Sequence, residues 1–244
     1  MLFAFFFYVL SAVCQGHWPW SRVTRQPWTG FGQLTVVLVP TLVAYAVFVL
    51  PNLAIWAVPG TALLSLPTVI GWFYSLVVAT IVTGLLAENR PWSRAGRPAA
   101  VAVASLIGNA VLGTALYLVL LPVAKVLMGQ ANVAALGDGV PVHAAELGVC
   151  WAFWMIAWAN IFGNRPTRFT PGVNSAIRVI VTFALACATY PLYYFVLAER
   201  VLHEPVAAGS LFGDALGFVD WAILWLLWYV LFLGSYGLPK PQKA

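Results

Sequence analysis

Apolar and polar positions along this chain separate into seven long apolar stretches divided by short polar connectors. A bilayer core about 30 Å thick takes about 20 mostly apolar residues per crossing helix. Residues 1–15, 31–50, 69–87, 99–121, 146–162, 176–198 and 217–234 have that character. They predict an all-α polytopic membrane protein of seven transmembrane helices, with residues 1–244 forming one transmembrane domain. The first stretch is short and has no basic residues ahead of its apolar run, so it does not read as a cleaved signal peptide. It reaches spanning length either by including His17, Trp18 and Trp20 at the interface or by a start upstream of Met1.

Three connectors carry related basic motifs bracketed by proline: HWPWSRVTRQP at 17–27, NRPWSRAGRP at 89–98 and NRPTRFTPG at 164–172. A fourth, GLPKP at 237–241, follows the seventh stretch. Their prolines, Pro19, Pro91, Pro166 and Pro239, stand 72, 75 and 73 residues apart (91 − 19, 166 − 91, 239 − 166). Such regular spacing predicts tandem repeats, each an aromatic-rich helix, a proline turn and a second helix. Each unit holds an even number of helices, so the copies are parallel and related by a pseudo-rotation axis along the membrane normal. Within the motif, Asn or Gly caps the odd helix, the first Pro stops it, and the second Pro opens the next helix.

Composition settles the class, since 62% of residues are apolar and 8% charged, against about 25% charged in soluble domains. The few charges are sorted by side. If the helices alternate, one side receives Arg22, Arg25, Arg90, Arg94, Arg97, Arg165, Arg168, Arg178, Lys240 and Lys243. The other receives Arg200 and Lys125, whose long stem reaches the interface. By the positive-inside rule the basic side is cytoplasmic, with the N-terminus outside and the C-terminus inside a membrane of the bacterial inner-membrane type. Arg22, Arg25, Arg90, Arg94, Arg97, Arg165 and Arg168 are then assigned to lipid headgroups, with Trp20, Trp28 and Trp92 as interfacial anchors. The net charge of +5 follows from this topology and implies no nucleic-acid partner. The expected partners are the lipid bilayer and other membrane subunits or a second copy of the chain.

The connectors leave no room for a soluble catalytic domain, and the chain has no Gly-rich phosphate loop, HExxH or nucleophile elbow. Cys14, Cys150 and Cys187 fall one each in apolar helices without CxxC spacing, which predicts buried packing. The polar content expected at mid-bilayer is Asn109, Asn160, Thr80, Thr83, Ser105 and Thr182. No deep carboxylate is expected there, which counts against a proton-driven antiporter. Asn109 and Asn160 are expected to hydrogen-bond between helices. Acids gather instead on the outer side. His143 and Glu146 precede the fifth helix, His203 and Glu204 follow the sixth, and Asp214 and Asp220 lead into the seventh. Imidazoles and carboxylates at one level suit a divalent metal or a cationic ligand. The plain alternative is solvated loop charge, with Arg200 paired to an acid.

Aromatic residues form the remaining pattern. Trp221, Trp225, Trp228, Phe232 and Tyr236 share one face of the seventh helix, Trp151, Trp154 and Trp158 one face of the fifth, and Tyr190 and Tyr194 one face of the sixth. Such stripes serve lipid contact and packing, or stack on a pigment, a quinone or a partner helix. Retinal is excluded, because the seventh helix has no lysine for a Schiff base. The functional expectation is a permease or channel-like transporter for a small neutral, aromatic or cationic solute. The alternatives are a non-catalytic subunit of a membrane complex, or a copper or iron oxidase or hydroxylase using the outer residues.

Overall fold

A computed structural model describes residues 2–23, 25–54, 61–207 and 211–234. In chain order the helices are α1 (Leu2–Val9), α2 (Trp28–Phe48), α3 (Leu50–Leu53), α4 (Leu66–Ile81), α5 (Arg90–Ser93), α6 (Pro98–Met128), α7 (Gln130–Leu136), α8 (His143–Asn160), α9 (Pro171–Leu192) and α10 (Ala215–Phe232). A two-stranded antiparallel hairpin, β1 (Val206–Ala207) with β2 (Leu211–Phe212), lies between α9 and α10. Wider π-helical turns extend α1 over Leu10–Cys14, α4 over Val82–Leu86 and α9 over Tyr193–Val201.

Among the described residues, six helical segments are long and apolar enough to cross a bilayer. The expected seventh, at the N-terminus, is a shorter apolar helix of Leu2–Cys14. One boundary differs because a proline does not end its helix: the fourth segment continues through Pro122 to Met128. The sixth, expected over 176–198 with Pro191 inside it, runs over 171–201 and ends in a π-helical extension. A helix surrounded by other apolar segments tolerates an interior proline when local π adjustments absorb the lost hydrogen bond.

Helix starts follow capping chemistry. Ser65 accepts from the Thr68 backbone N–H ahead of α4, and Asp214 accepts from Gly217 N–H at 3.1 Å ahead of α10. Pro98 and Pro171 open α6 and α9, where a missing N–H costs nothing.

α4 and α8 form the centre. α1, α6, α9 and α10 pack against one or both of them, and α2 lies against α1. Val77, Val78 and Ala79 of α4 and Ala144, Leu147 and Cys150 of α8 are fully enclosed. The outer helices expose apolar side chains instead, among them Leu42 and Val43 of α2 and Ile107, Val111 and Leu118 of α6. A water-facing surface would not carry so continuous an apolar coat, whereas a lipid-facing one requires it.

Three of the odd-numbered segments, α1, α4 and α8 with their extensions, end in the same way. Gly16 and His17, Glu88 and Asn89, and Gly163 and Asn164 are successive pairs in the left-handed region. In each pair the second N–H bonds six residues back, His17 to Ser11, Asn89 to Thr83 and Asn164 to Trp158, at 2.9 to 3.1 Å. This is one residue wider than a Schellman closure. The side chains of the two asparagines do not cap their own helices. Asn89 Nδ2 donates to the Cys14 carbonyl at 2.8 Å and Asn164 Nδ2 to the Leu85 carbonyl at 2.9 Å. Each turn thus supplies a side-chain donor to the end of the preceding odd-numbered segment, where the Leu85 carbonyl also accepts from Glu88 N–H at 3.3 Å.

Candidate functional site

The acid-rich end of the bundle contains a buried polar cluster. His143 opens α8 and Glu146 lies in its first turn, and both are enclosed rather than held in a solvated mouth: Glu146 is 5% exposed and His143 3%. The reason is that Gln130–Val142, expected as an open connector, is itself helical and lays Pro141 against Gly71 of α4. Residues assigned to the loop are thereby drawn inside. Glu146 is thus buried within the protein at the end of the bundle, where the sequence placed it in a solvated mouth.

Tyrosines surround this acid. Tyr190 OH and His143 Nδ1 share a 2.7 Å hydrogen bond, and the Tyr194 ring lies 5.7 Å from the imidazole. The Tyr194 hydroxyl and the Leu216 amide approach the Glu146 carboxyl, with Asp214 and Asp220 close enough to act on it electrostatically. Even so, Glu146 Oε2 is fully buried and has no hydrogen-bond partner. No cation faces it, since among the described residues the salt bridges are those of Glu88 with Arg90 and Arg178. Burying an ionised carboxylate without a partner costs several kcal/mol, so a group in this position is completed by a proton or by a positive charge.

Asp220 stands on α10 and accepts from Tyr74 OH of α4 at 3.0 Å. It lines a cleft of about 450 Å³ between α1, α4 and α10, with Leu2, Phe5, Tyr74, Leu216, Ile223, Leu224 and Leu227 as its other walls. Glu204 accepts from Tyr193 OH at 3.0 Å, and that hydroxyl accepts from the Asp214 N–H at 2.9 Å. Tyr193 therefore fastens the hairpin after α9 to the start of α10.

Only part of the expected constellation converges. Glu146, Asp214 and Asp220 approach one another, whereas His203 is exposed, Glu204 is committed to Tyr193 and Asp214 caps α10. Among the described residues no group of three His, Cys, Asp or Glu side chains is arranged to hold a metal ion. The outer-face metal site and the oxidase reading built on it are not supported by this geometry. Nor does Arg200 form a salt bridge among the described residues. The cluster's tyrosines were only partly legible. Tyr190 and Tyr194 share a helix face by spacing, while nothing in the sequence connects Tyr74 with Asp220 across 146 residues.

At the opposite end, Arg22, Arg25, Arg90, Arg94, Arg97, Arg165 and Arg168 are exposed, and Arg168 lies over Phe169 at 4.7 Å. Arg178 behaves differently. It is 2% exposed and donates to Glu88 Oε1 at 2.9 Å, to the Leu86 carbonyl at 2.8 Å and to the Pro166 carbonyl at 3.1 Å. Partial burial opposes ionisation of Glu88, but hydrogen bonds from Arg90 and Arg178 outweigh it and hold the carboxyl below its usual value. Trp20 and Trp92 are half-buried, and each lies on a glycine of the following helix, Gly32 and Gly108. Trp28 is exposed.

The interior polar residues divide. Thr83 donates to Asn109 Oδ1 at 2.8 Å, an interhelical bond as expected, whereas Asn160 turns back onto the Ile156 carbonyl of its own helix. Cys14 and Cys150 are buried and Cys187 half-buried. The tryptophans of α8 serve packing: Trp151 donates to Thr182, Trp154 to Thr189 and Trp158 to the Arg165 carbonyl. Trp221, Trp225, Trp228 and Phe232 form an exposed ladder with successive centroids 5.8 to 6.1 Å apart. Tyr236, Pro239, Lys240 and Lys243 lie outside the described residues.

Fold and site together define an all-α, multi-pass protein of the membrane-spanning class. No protein-family model matches the chain, and neither a curated protein nor a solved structure does.

Proposed function

We propose that this chain is a permease or channel-like transporter that passes a small cationic solute through the acid-rich end of its bundle. The observation that carries the reading is Glu146, an enclosed carboxyl with a partnerless oxygen, two further acids nearby and, among the described residues, no facing cation. A buried site of that kind is completed by a proton or a positively charged group. The surrounding hydroxyls of Tyr74, Tyr190 and Tyr194 offer neutral oxygens along which a desolvated cation is held. The basic turns are assigned to the cytoplasmic side of a bacterial inner membrane, which sets the acid-rich mouth outside and the N-terminus with it.

Tandem parallel repeats belong to the same proposal. Supporting them are the left-handed pairs at 16–17, 88–89 and 163–164, the asparagine bridges to the preceding crossing, and the Trp20–Gly32 and Trp92–Gly108 contacts. The six-residue closure alone is less specific, because Glu204 N–H also bonds to the Ala198 carbonyl.

The test is flux. Liposomes containing the protein are to be loaded with a panel of labelled amines, sugars and amino acids. Saturable uptake of at least one amine, lost in Glu146→Gln, supports the reading; leak equal to that of empty liposomes across the panel removes it. A second reading, a non-catalytic subunit of a membrane complex, is favoured by the exposed ladder on α10. Extraction from native membranes in mild detergent distinguishes it, since a subunit copurifies with stoichiometric partners and a self-sufficient permease does not.

A further inference from the structure

The cleft between α1, α4 and α10 differs from the other apolar groove of the bundle. The groove between α6, α8 and α9 is lined by Leu116, Val119, Leu120, Trp151, Val179, Ile180, Phe183 and Ala184, an ordinary bed for lipid chains. In the cleft, by contrast, the apolar walls meet an acid. Leu216, Asp220, Ile223, Leu224 and Leu227 recur along α10 at helical spacing and face Leu2 and Phe5 of α1, with Tyr74 of α4 behind them.

Tyr74 engages only one oxygen of Asp220, at 3.0 Å, and among the described residues no basic side chain pairs with it. Behind this floor lies Glu146, which the Leu216 amide and the Asp220 charge both reach. A lipid tail fits the walls and gains nothing from the floor. A neutral polar head satisfies the hydroxyl but leaves two acids unopposed. The occupant that uses every feature has an apolar body and a single positive charge.

We propose that the cleft binds a lipophilic monocation, a long-chain amine or quaternary ammonium, with its cationic head on Asp220 and its chain between Leu2, Phe5, Ile223, Leu224 and Leu227. This names the substrate class of the transporter and in that sense rests on the transport reading. Access would be lateral, from the bilayer, because the walls are apolar along their length. The cleft volume of about 450 Å³ accommodates a chain of about a dozen carbons.

The experiment uses the full chain in nanodiscs of zwitterionic lipid, titrated with dodecyltrimethylammonium against empty nanodiscs. Saturable binding above the empty-nanodisc background is expected for the wild type, at least tenfold weaker in Asp220→Asn and retained in Asp220→Glu. Leu224→Trp, which fills the cleft without altering charge, weakens binding by a similar factor. Tetramethylammonium, which lacks the chain, and dodecanol, which lacks the charge, bind at least tenfold more weakly. Binding of dodecanol as tight as that of the cation, binding unchanged in Asp220→Asn, or background binding alone overturns the proposal. Flux in liposomes separates the two readings: binding without transport leaves the cleft assignment and removes the transporter, while transport of a hydrophilic amine unaffected by Asp220→Asn does the reverse.

Discussion

Asn164 Nδ2 donates to the carbonyl of Leu85 at 2.9 Å, joining the turn after α8 to the end of the α4 crossing. Asn89 does the same for Cys14, so two turns of related sequence each complete the preceding odd crossing. Losing such a hydrogen bond costs about 0.5–1.5 kcal/mol, and the Leu85 carbonyl keeps the Glu88 N–H at 3.3 Å. Asn164→Ala and Asn89→Ala are each expected to lower the thermal midpoint in detergent by several degrees, since the left-handed backbone is also lost to a residue that disfavours it. Asn164→Asp tolerates the backbone but cannot donate, and is expected to lose nearly as much. A midpoint unchanged in all three variants contradicts this role.

Arg178 and Glu88 supply a pH-dependent link at the same end. Because Arg90 and Arg178 depress the Glu88 carboxyl, its contribution is fully present above the unfolded value near 4.5 and is lost as pH falls through the lower folded value. The Glu88 side chain is 38% exposed, so solvent screening holds that contribution below about 1 kcal/mol. Glu88→Gln is expected to flatten the acid limb of a stability profile between about pH 5 and pH 3. Arg178→Met strips donors from the Leu86 and Pro166 carbonyls and is expected to cost several times more at every pH. Profiles recorded by thermal unfolding across that range decide both.

The Trp92 indole packs against Gly108, and a Cβ at that position would overlap the six-membered ring. Trp20 covers Gly32 in the same manner. Gly108→Ala and Gly32→Ala are expected to destabilise by about 1–3 kcal/mol through overpacking, read as a loss of thermal midpoint. Trp92→Leu combined with Gly108→Ala relieves the overlap and recovers part of that loss. Gly172→Ala, with open space around its Cα, serves as the control and is expected to be neutral or slightly stabilising.

Much of the architecture was legible because lipid imposes it: six of the seven stretches are helices of spanning length, with boundaries within a few residues except where Pro122 did not terminate the fourth. The turns were legible as punctuation but not as bridges, since the pairing of Asn164 with Leu85 depends on which crossings are neighbours. The site was half legible. Glu146, Asp214 and Asp220 stand out as acids in an apolar chain, yet their depth depends on the helical fold of 130–142, which short apolar spacing does not reveal. Tyr74 carries no signal at all, because its meaning comes from Asp220 on a helix far away in sequence.

Gly213 is required by the hairpin that fastens α10. Its φ is +72°, and a Cβ there would overlap the Glu204 carboxylate and stand 2.6 Å from the Tyr193 hydroxyl. Gly213→Ala is expected to break the Glu204–Tyr193–Asp214 chain and expose the segment between α9 and α10. Limited proteolysis provides the readout: cleavage within 199–214 should accelerate at least severalfold, and Tyr193→Phe should accelerate it to a lesser degree. Unchanged cleavage in Gly213→Ala excludes the contact as the fastening element.

Glu146 separates stability from function. An enclosed acid with a partnerless oxygen is a liability to the fold, and replacing such groups with neutral ones of similar shape is commonly neutral or stabilising. Glu146→Gln keeps the volume and the contacts with Tyr194 and the Leu216 amide while removing the ionisable group. Its thermal midpoint is therefore expected to equal or exceed that of the wild type, while uptake of the transported amine falls at least tenfold. Glu146→Ala, which adds a cavity, is expected to lose both stability and uptake. A Glu146→Gln protein that is markedly less stable than the wild type and still transports would assign the residue to the fold alone. The opposite pattern, more stable and inactive, is the trade-off of a site kept for use rather than for folding.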